Sequence, residues 1–200
     1  MDCAPASETV YLPEGVRTAV KLLVVGPFAV GKTTFVGALS EIRPLRTEEV
    51  MTRAGALVDD LAGTRDKTTT TVALDFGRVT LGGTLVLYLF GAPGQRRFTG
   101  LWRDLTRGAL GALVLADTRH LERSFDVMGM LEESELPYAV ALNEFDGTPG
   151  YGLDEVREAL DLLPSTPLLR CDARDRVSAT ETLIALVTHL LARTGEPEEA

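Results

Sequence analysis

The chain is short of cysteine and histidine. Two cysteines, Cys3 and Cys171, and two histidines, His120 and His189, occur in 200 residues. A disulfide scaffold, a CxxC zinc pair and a histidine-rich metal site are therefore excluded. Positive charge is also scarce: Lys and Arg total 20 against 29 Asp and Glu, a formal net charge of −9. A protein that coats nucleic acid needs a basic surface to displace counterions, so that class is excluded, and only a local basic patch is left open. No apolar run approaches the ~18–20 residues of a membrane span. The first residues have neither a basic n-region nor an apolar h-region, so no secretory signal is read there. Asp2 stands where myristoylation needs glycine, and residues 195–200 form no prenylation box. The expectation is a soluble cytoplasmic protein, at the membrane only peripherally and through partners.

What is present is an alternation of short apolar runs with longer amphipathic stretches. The runs are Lys21–Val25, Val72–Phe76, Leu85–Phe90, Gly111–Ala116, Ala139–Leu142 and Leu168–Cys171. Helical periodicity covers Lys32–Leu39, Arg96–Arg107, Ser124–Glu133, Leu153–Leu162 and Ala179–Arg193. Continuous apolar strands alternating with helices mean a sheet covered on both faces. Gly82-Gly83 marks a hairpin turn, which makes one strand antiparallel. Residues 1–16 read as a flexible leader, 17–194 as one domain and 195–200 as an acidic tail. The stretch 41–69 shows no clean periodicity and carries Arg43, Arg46, Arg53 and Arg65. Long aperiodic stretches inside compact domains are usually functional or mobile.

The chemistry starts at Gly26-Pro27-Phe28-Ala29-Val30-Gly31-Lys32-Thr33, which matches G-x-x-x-x-G-K-[ST] between a strand and a helix. Glycines let backbone N–H groups of Phe28 to Thr34 wrap phosphates, and the helix N-terminus adds its positive end. Lys32 suits the β- and γ-phosphates, and the Thr33 hydroxyl suits Mg2+. Asn143-Glu144-Phe145-Asp146 ends an apolar strand. The Asp146 carboxylate can accept from guanine N1–H and N2–H₂ together, a donor pair that adenine lacks. Asp172-Ala173-Arg174 ends the next strand, where the Ala173 N–H suits guanine O6.

Taken in order, Gly26–Thr33, Thr71, Gly91–Gln95, Asn143–Asp146 and Asp172–Arg174 resemble the five nucleotide motifs of Ras-like small GTPases. The segments 67–77, 90–95 and 171–174 more closely resemble the bacterial branch, which includes the gliding-motility polarity GTPases and the actinobacterial conservon GTPases. The resemblance implies an α/β P-loop NTPase fold: a mostly parallel six-stranded sheet with one antiparallel strand and helices on both faces. It implies GTP and GDP as ligands with Mg2+, switch regions at 41–71 and 91–107, and a slow GTPase acting as a signalling switch. It further implies a roadblock-domain protein and a histidine-kinase-like sensor as partners. Within it, Gln95 matches the residue that orients the attacking water, Gly94 precedes it, and Thr71 (alternatively Thr70) is the Mg2+-sensing threonine. An internal arginine, with Arg53 favoured, would complete the charge on the γ-phosphate.

Two departures stand out. Gly91 occupies the Asp position of D-x-x-G, leaving Mg2+ to Thr33, Thr71 and the phosphates. Glu144 replaces the lysine of N-K-x-D, which puts an acid near the nucleotide and lowers the expected affinity. In the switch helix, Phe98, Leu101, Trp102 and Leu105 share one side, and Arg96, Arg103 and Arg107 the other. That stripe suits an acidic partner or plain solvent. Two other functions remain open: an ATP-using P-loop enzyme, or a non-hydrolysing nucleotide-bound scaffold.

Overall fold

The computed structural model describes residues 15–51, 70–92, 99–148 and 150–194. The strands are β1 (Thr18–Val25), β2 (Leu45–Met51), β3 (Thr70–Leu81), β4 (Leu85–Gly91), β5 (Ala109–Ala116), β6 (Tyr138–Asn143) and β7 (Leu168–Cys171). The helices are α1 (Lys32–Leu39), α2 (Thr99–Thr106), α3 (Phe125–Glu133), α4 (Leu153–Ala159) and α5 (Arg176–Thr194).

The strands form one sheet in the order β2-β3-β4-β1-β5-β6-β7. The pairs from β4 through β1, β5 and β6 to β7 are parallel, and β3 runs antiparallel to both β2 and β4. The expected six strands and the single reversed strand are present. The sheet also has a seventh strand, β2, at the β3 edge, inside the stretch read from sequence as aperiodic. Its residues, Leu-Arg-Thr-Glu-Glu-Val-Met, carry three charges. Charged edge strands resist pairing with other chains, and that composition also erases the apolar signal.

Residue alternation along β1 builds both halves of the core. Leu22 and Val24 pack with Phe35, Val36, Leu183 and Leu186, beneath α1 and α5. Leu23 and Val25 pack with Trp102, Val127, Leu131 and Val156, beneath α2, α3 and α4. Successive strand side chains face opposite ways, so an unbroken apolar run serves both layers. The turn between β3 and β4 uses Gly82 and Gly83 at φ 58° and 72°, left-handed values that glycine adopts cheaply. Because β1 has β4 on one side and β5 on the other, chain direction diverges at its carboxyl end. A crevice opens there, at the position where open α/β sheets bind ligands.

Candidate functional site

The loop from Gly26 to Gly31 leaves β1 at this crevice. Gly26 has φ 145°, and a Cβ there would lie 2.3 Å from the Leu115 carbonyl oxygen. Gly31 has φ 105°, and its Cβ would lie 2.5 Å from Asn143 Nδ2. Glycine is required at both, because the backbone curls tightly against its neighbours. Ala29 also takes a left-handed φ of 62°, a strained value for a residue with a Cβ. No side chain caps the N-terminus of α1, so its first amides stay available to an anion. Phe28 projects outward and is 83% exposed, while Val30 is buried.

Lys32 Nζ donates to the carbonyls of Gly26 (2.9 Å) and Pro27 (2.6 Å). Burial lowers its ammonium to about 8, and the Asp75 charge opposes that shift. Thr33 Oγ1 donates to Asp75 Oδ2 at 2.5 Å, and Asp75 is only 7% exposed. Sequence reading missed Asp75. In the sheet it is the register partner of Gly91 across β3 and β4. A Cβ on Gly91 would lie 3.0 Å from the Asp75 Cβ and 3.2 Å from Oδ2. Relative to the D-x-x-G pattern, the carboxylate thus stands one strand over, on β3, directly across from the glycine on β4. Asp75 therefore puts a carboxylate beside Thr33, next to Gly91, where the D-x-x-G pattern would have placed one. A signal was available: Asp75 is the lone acid in an otherwise apolar strand start, and alternation puts it on the face of Thr71 and Ala73.

A hydroxyl and a carboxylate side by side at a phosphate-binding loop are hard oxygen donors, the type that Mg2+ takes. By giving its proton to Asp75, Thr33 turns its oxygen lone pairs outward. Thr71 lies in β3 opposite Val50 of β2. Gly94, Gln95, Arg53 and Arg96 lie outside the described residues, as do residues 1–14 and 195–200.

Asn143 is buried at the end of β6 and uses its whole amide. Nδ2 donates to the Val30 carbonyl and Oδ1 accepts from the Ala173 N–H, both at 2.9 Å. Thus Asn143 clamps the phosphate loop to the loop after β7. The Ala173 N–H, expected from sequence to face guanine O6, donates to Asn143 Oδ1. Arg119 lies 3.9 Å over the Phe145 ring and is itself held by Asp117 at 2.6 Å. These two residues, also missed from sequence, brace the segment that presents Asp146.

Asp146 is almost fully solvated and meets Arg174, whose Nη1 and Nη2 reach Oδ2 and Oδ1, each at 3.2 Å. Arg174 Nε and Nη2 also reach Asp172 at 2.9 and 3.0 Å. The bonds from Arg174 hold both carboxyls below the usual range. Glu144 carries no bond to the phosphate loop; Arg170 lies 3.4 Å from it. On α2, Trp102 and Leu105 are buried while Arg103 is exposed, as is Arg107 just beyond it. No helix among the described residues is long and apolar enough to cross a membrane.

The family described as conserved hypothetical ATP-binding proteins matches residues 24–193. The chain belongs to this family. An uncharacterized protein of Methanocaldococcus jannaschii is 28% identical over 132 residues, 65% of this chain and 73% of its own. Among solved structures, the FeoB G-domain of Methanococcus jannaschii superposes with a TM-score of 0.58 at 16% identity, covering 87% of this chain and 99% of that one. The cytosolic domain of the T. maritima FeoB iron transporter in its apo form gives 0.60 at 18%, covering 86% and 64%. Its GDP form gives 0.60 at 17%, covering 90% and 64%. The fold is that of a P-loop G-domain, and the chain is a P-loop nucleotide-binding protein.

Proposed function

We propose that the chain is a guanine-nucleotide switch that binds GTP and GDP with Mg2+ and hydrolyses GTP slowly. The observation that carries this reading is Asp146, an exposed carboxylate at the carboxyl edge of the sheet that presents both oxygens to a two-pronged donor. Guanine offers such a pair at N1 and N2. The FeoB cytosolic domain solved in a GDP form has the same fold and adds support.

Within this reading, Lys32 leaves the Gly26 and Pro27 carbonyls and turns to the β- and γ-phosphates. The N-terminus of α1 and the loop amides take the remaining phosphate charge. Thr33 contributes its oxygen to Mg2+, and Asp75 keeps that hydroxyl oriented; Thr71 is assigned to sensing the γ-phosphate. The ion would neutralise charge between the β- and γ-phosphates. Gln95 is assigned to orienting the attacking water, and Arg53 or a partner residue to the remaining positive charge. Such an arginine is worth ~10³–10⁵ in rate where it operates. Order in 41–71 and 91–107 would then report the γ-phosphate to partners. The resemblance to the conservon and gliding-motility GTPases supports a roadblock-domain protein and a histidine-kinase-like sensor in that role. The Arg103 and Arg107 surface, extended by Arg96, is their proposed docking stripe.

The family's description supports a second reading, ATP as the nucleotide. Identifying the nucleotide that co-purifies with the protein, then titrating GDP, GTP, ADP and ATP, separates the two. Asp146→Asn should weaken GTP by a lost charge-assisted pair, on the order of 2–4 kcal/mol, and favour xanthosine triphosphate, whose C2 oxygen accepts from the Asn amide. Unchanged GTP affinity would remove Asp146 from the base site. Phosphate release by Gln95→Leu, with and without partner, tests the water-orienting role.

A further inference from the structure

We infer that Arg174 is a built-in stand-in for the guanine base at Asp146, which must be displaced for the base to seat. This rests on the reading of Asp146 as the base-recognising carboxylate.

The geometry carries the inference. Arg174 Nη1 and Nη2 meet the two Asp146 oxygens one to one, both at 3.2 Å. Guanine would bring N1–H and N2–H in the same two-pronged manner. A planar guanidinium and the edge of a guanine present nearly identical donor forks, which is why both match a carboxylate in bidentate fashion. A carboxylate has lone pairs for further bonds, but only one fork fits along its open edge. The two donors therefore exclude one another.

Arg174 is not held there by Asp146 alone. Asp172 takes its Nε at 2.9 Å and Nη2 at 3.0 Å, and also accepts from its backbone N–H at 2.9 Å. Asp172 thus acts as a tether. It positions the fork over Asp146 and retains the side chain after displacement. The contact is a surface one: the Arg174 side chain is 56% exposed and that of Asp146 89%. Exposed ion pairs are weak, so the block is light, and its removal should change the binding rate by about two- to fivefold. A light block suits a device that slows entry without preventing it.

The sign of the effect separates this inference from simple electrostatics. Deleting a positive charge beside the landing site of an anionic nucleotide would ordinarily slow association. Deleting a base mimic speeds it. The test measures stopped-flow association of a fluorescent GDP analogue with the wild-type chain, Arg174→Met and Arg174→Lys. Arg174→Met keeps the aliphatic stem, and Arg174→Lys keeps the charge but loses the fork. Both variants should associate about two- to fivefold faster. The same Arg174→Met change is then made in Asp146→Asn and read with a fluorescent xanthosine diphosphate. There the Asn amide no longer accepts the fork at both prongs, and the acceleration should vanish. The Arg174 Nε–H resonance should shift on addition of GDP and stay in place on addition of ADP.

Association at the wild-type rate or slower in Arg174→Met would overturn the inference. So would an equal acceleration in the Asp146→Asn background. If Asp146→Asn binds GDP as before and shows no taste for xanthine nucleotides, the base reading itself falls, whatever the Arg174 rates.

Discussion

Replacing Asp75 by asparagine is the most direct perturbation of the proposed metal site. The side chain keeps its size, so the buried position between β3 and β4 stays filled. What is lost is the charge that holds the Thr33 hydroxyl at 2.5 Å. A hydrogen bond to an ionised acceptor contributes about 1.5–3 kcal/mol, a neutral one about 0.5–1.5. The difference, about 1–2 kcal/mol, corresponds to roughly 5–30-fold in metal affinity. Outer-shell partners of metal ligands typically cost 10–100-fold when mutated, which overlaps that range. The assay is nucleotide binding across a Mg2+ titration, with EDTA at the low end. In Asp75→Asn the Mg2+ midpoint should rise by about tenfold or more. Without metal the sign reverses, because removing an acid beside the phosphates strengthens binding. The swap Asp75→Gly with Gly91→Asp returns the carboxylate to β4 and should recover part of the lost metal affinity. A midpoint that moves less than about threefold in Asp75→Asn would refute the role given to Asp75.

Other outcomes follow from the same contacts. Burial pushes the Lys32 ammonium down to about 8, and triphosphate favours its charged form, so binding should take up a proton above that pH. Triphosphate affinity should hold steady below about 8 and fall by up to about tenfold per pH unit above it, while Lys32→Met shows no such slope; a flat wild-type profile to pH 9.5 would count against the assignment. Asn143→Leu orphans the Val30 carbonyl and the Ala173 N–H, each costing about 1–3 kcal/mol, so urea unfolding should show a loss of about 2–6 kcal/mol. A loss under about 1 kcal/mol would mean that water replaces the amide. Charge reversal of Arg96, Arg103 and Arg107 together should abolish partner pull-down and leave nucleotide affinity intact.

Much of the fold was legible because its signals are local. Lys32–Leu39 and Leu168–Cys171 have the same bounds in sequence and structure, since the glycine before the helix and the apolar patterns mark them. The phosphate loop was legible for the same reason: its residues are consecutive. β2 escaped because Arg46, Glu48 and Glu49 break the apolar pattern and its pairing with β3 is long-range. Asp75 escaped for a related reason. Its meaning lies in facing Gly91 across the sheet, and no spacing along the chain records that. The contact between Arg174 and Asp146 joins loops after two different strands, so the motifs were readable one by one but their mutual occupation was not.

In the proposed metal site, the placement of Asp75 opposite Gly91 changes which part of the chain would be tied to the ion. In the D-x-x-G arrangement, the strand that ends at the acid runs straight on to the water-orienting glutamine, so one short segment serves two masters. Here the acid hangs from the middle of a twelve-residue strand that is paired on both sides. Gly91 leaves β4 with no side chain to commit. In the proposed site the ion would thus be anchored from β3, and not from the strand that precedes Gln95 in the sequence.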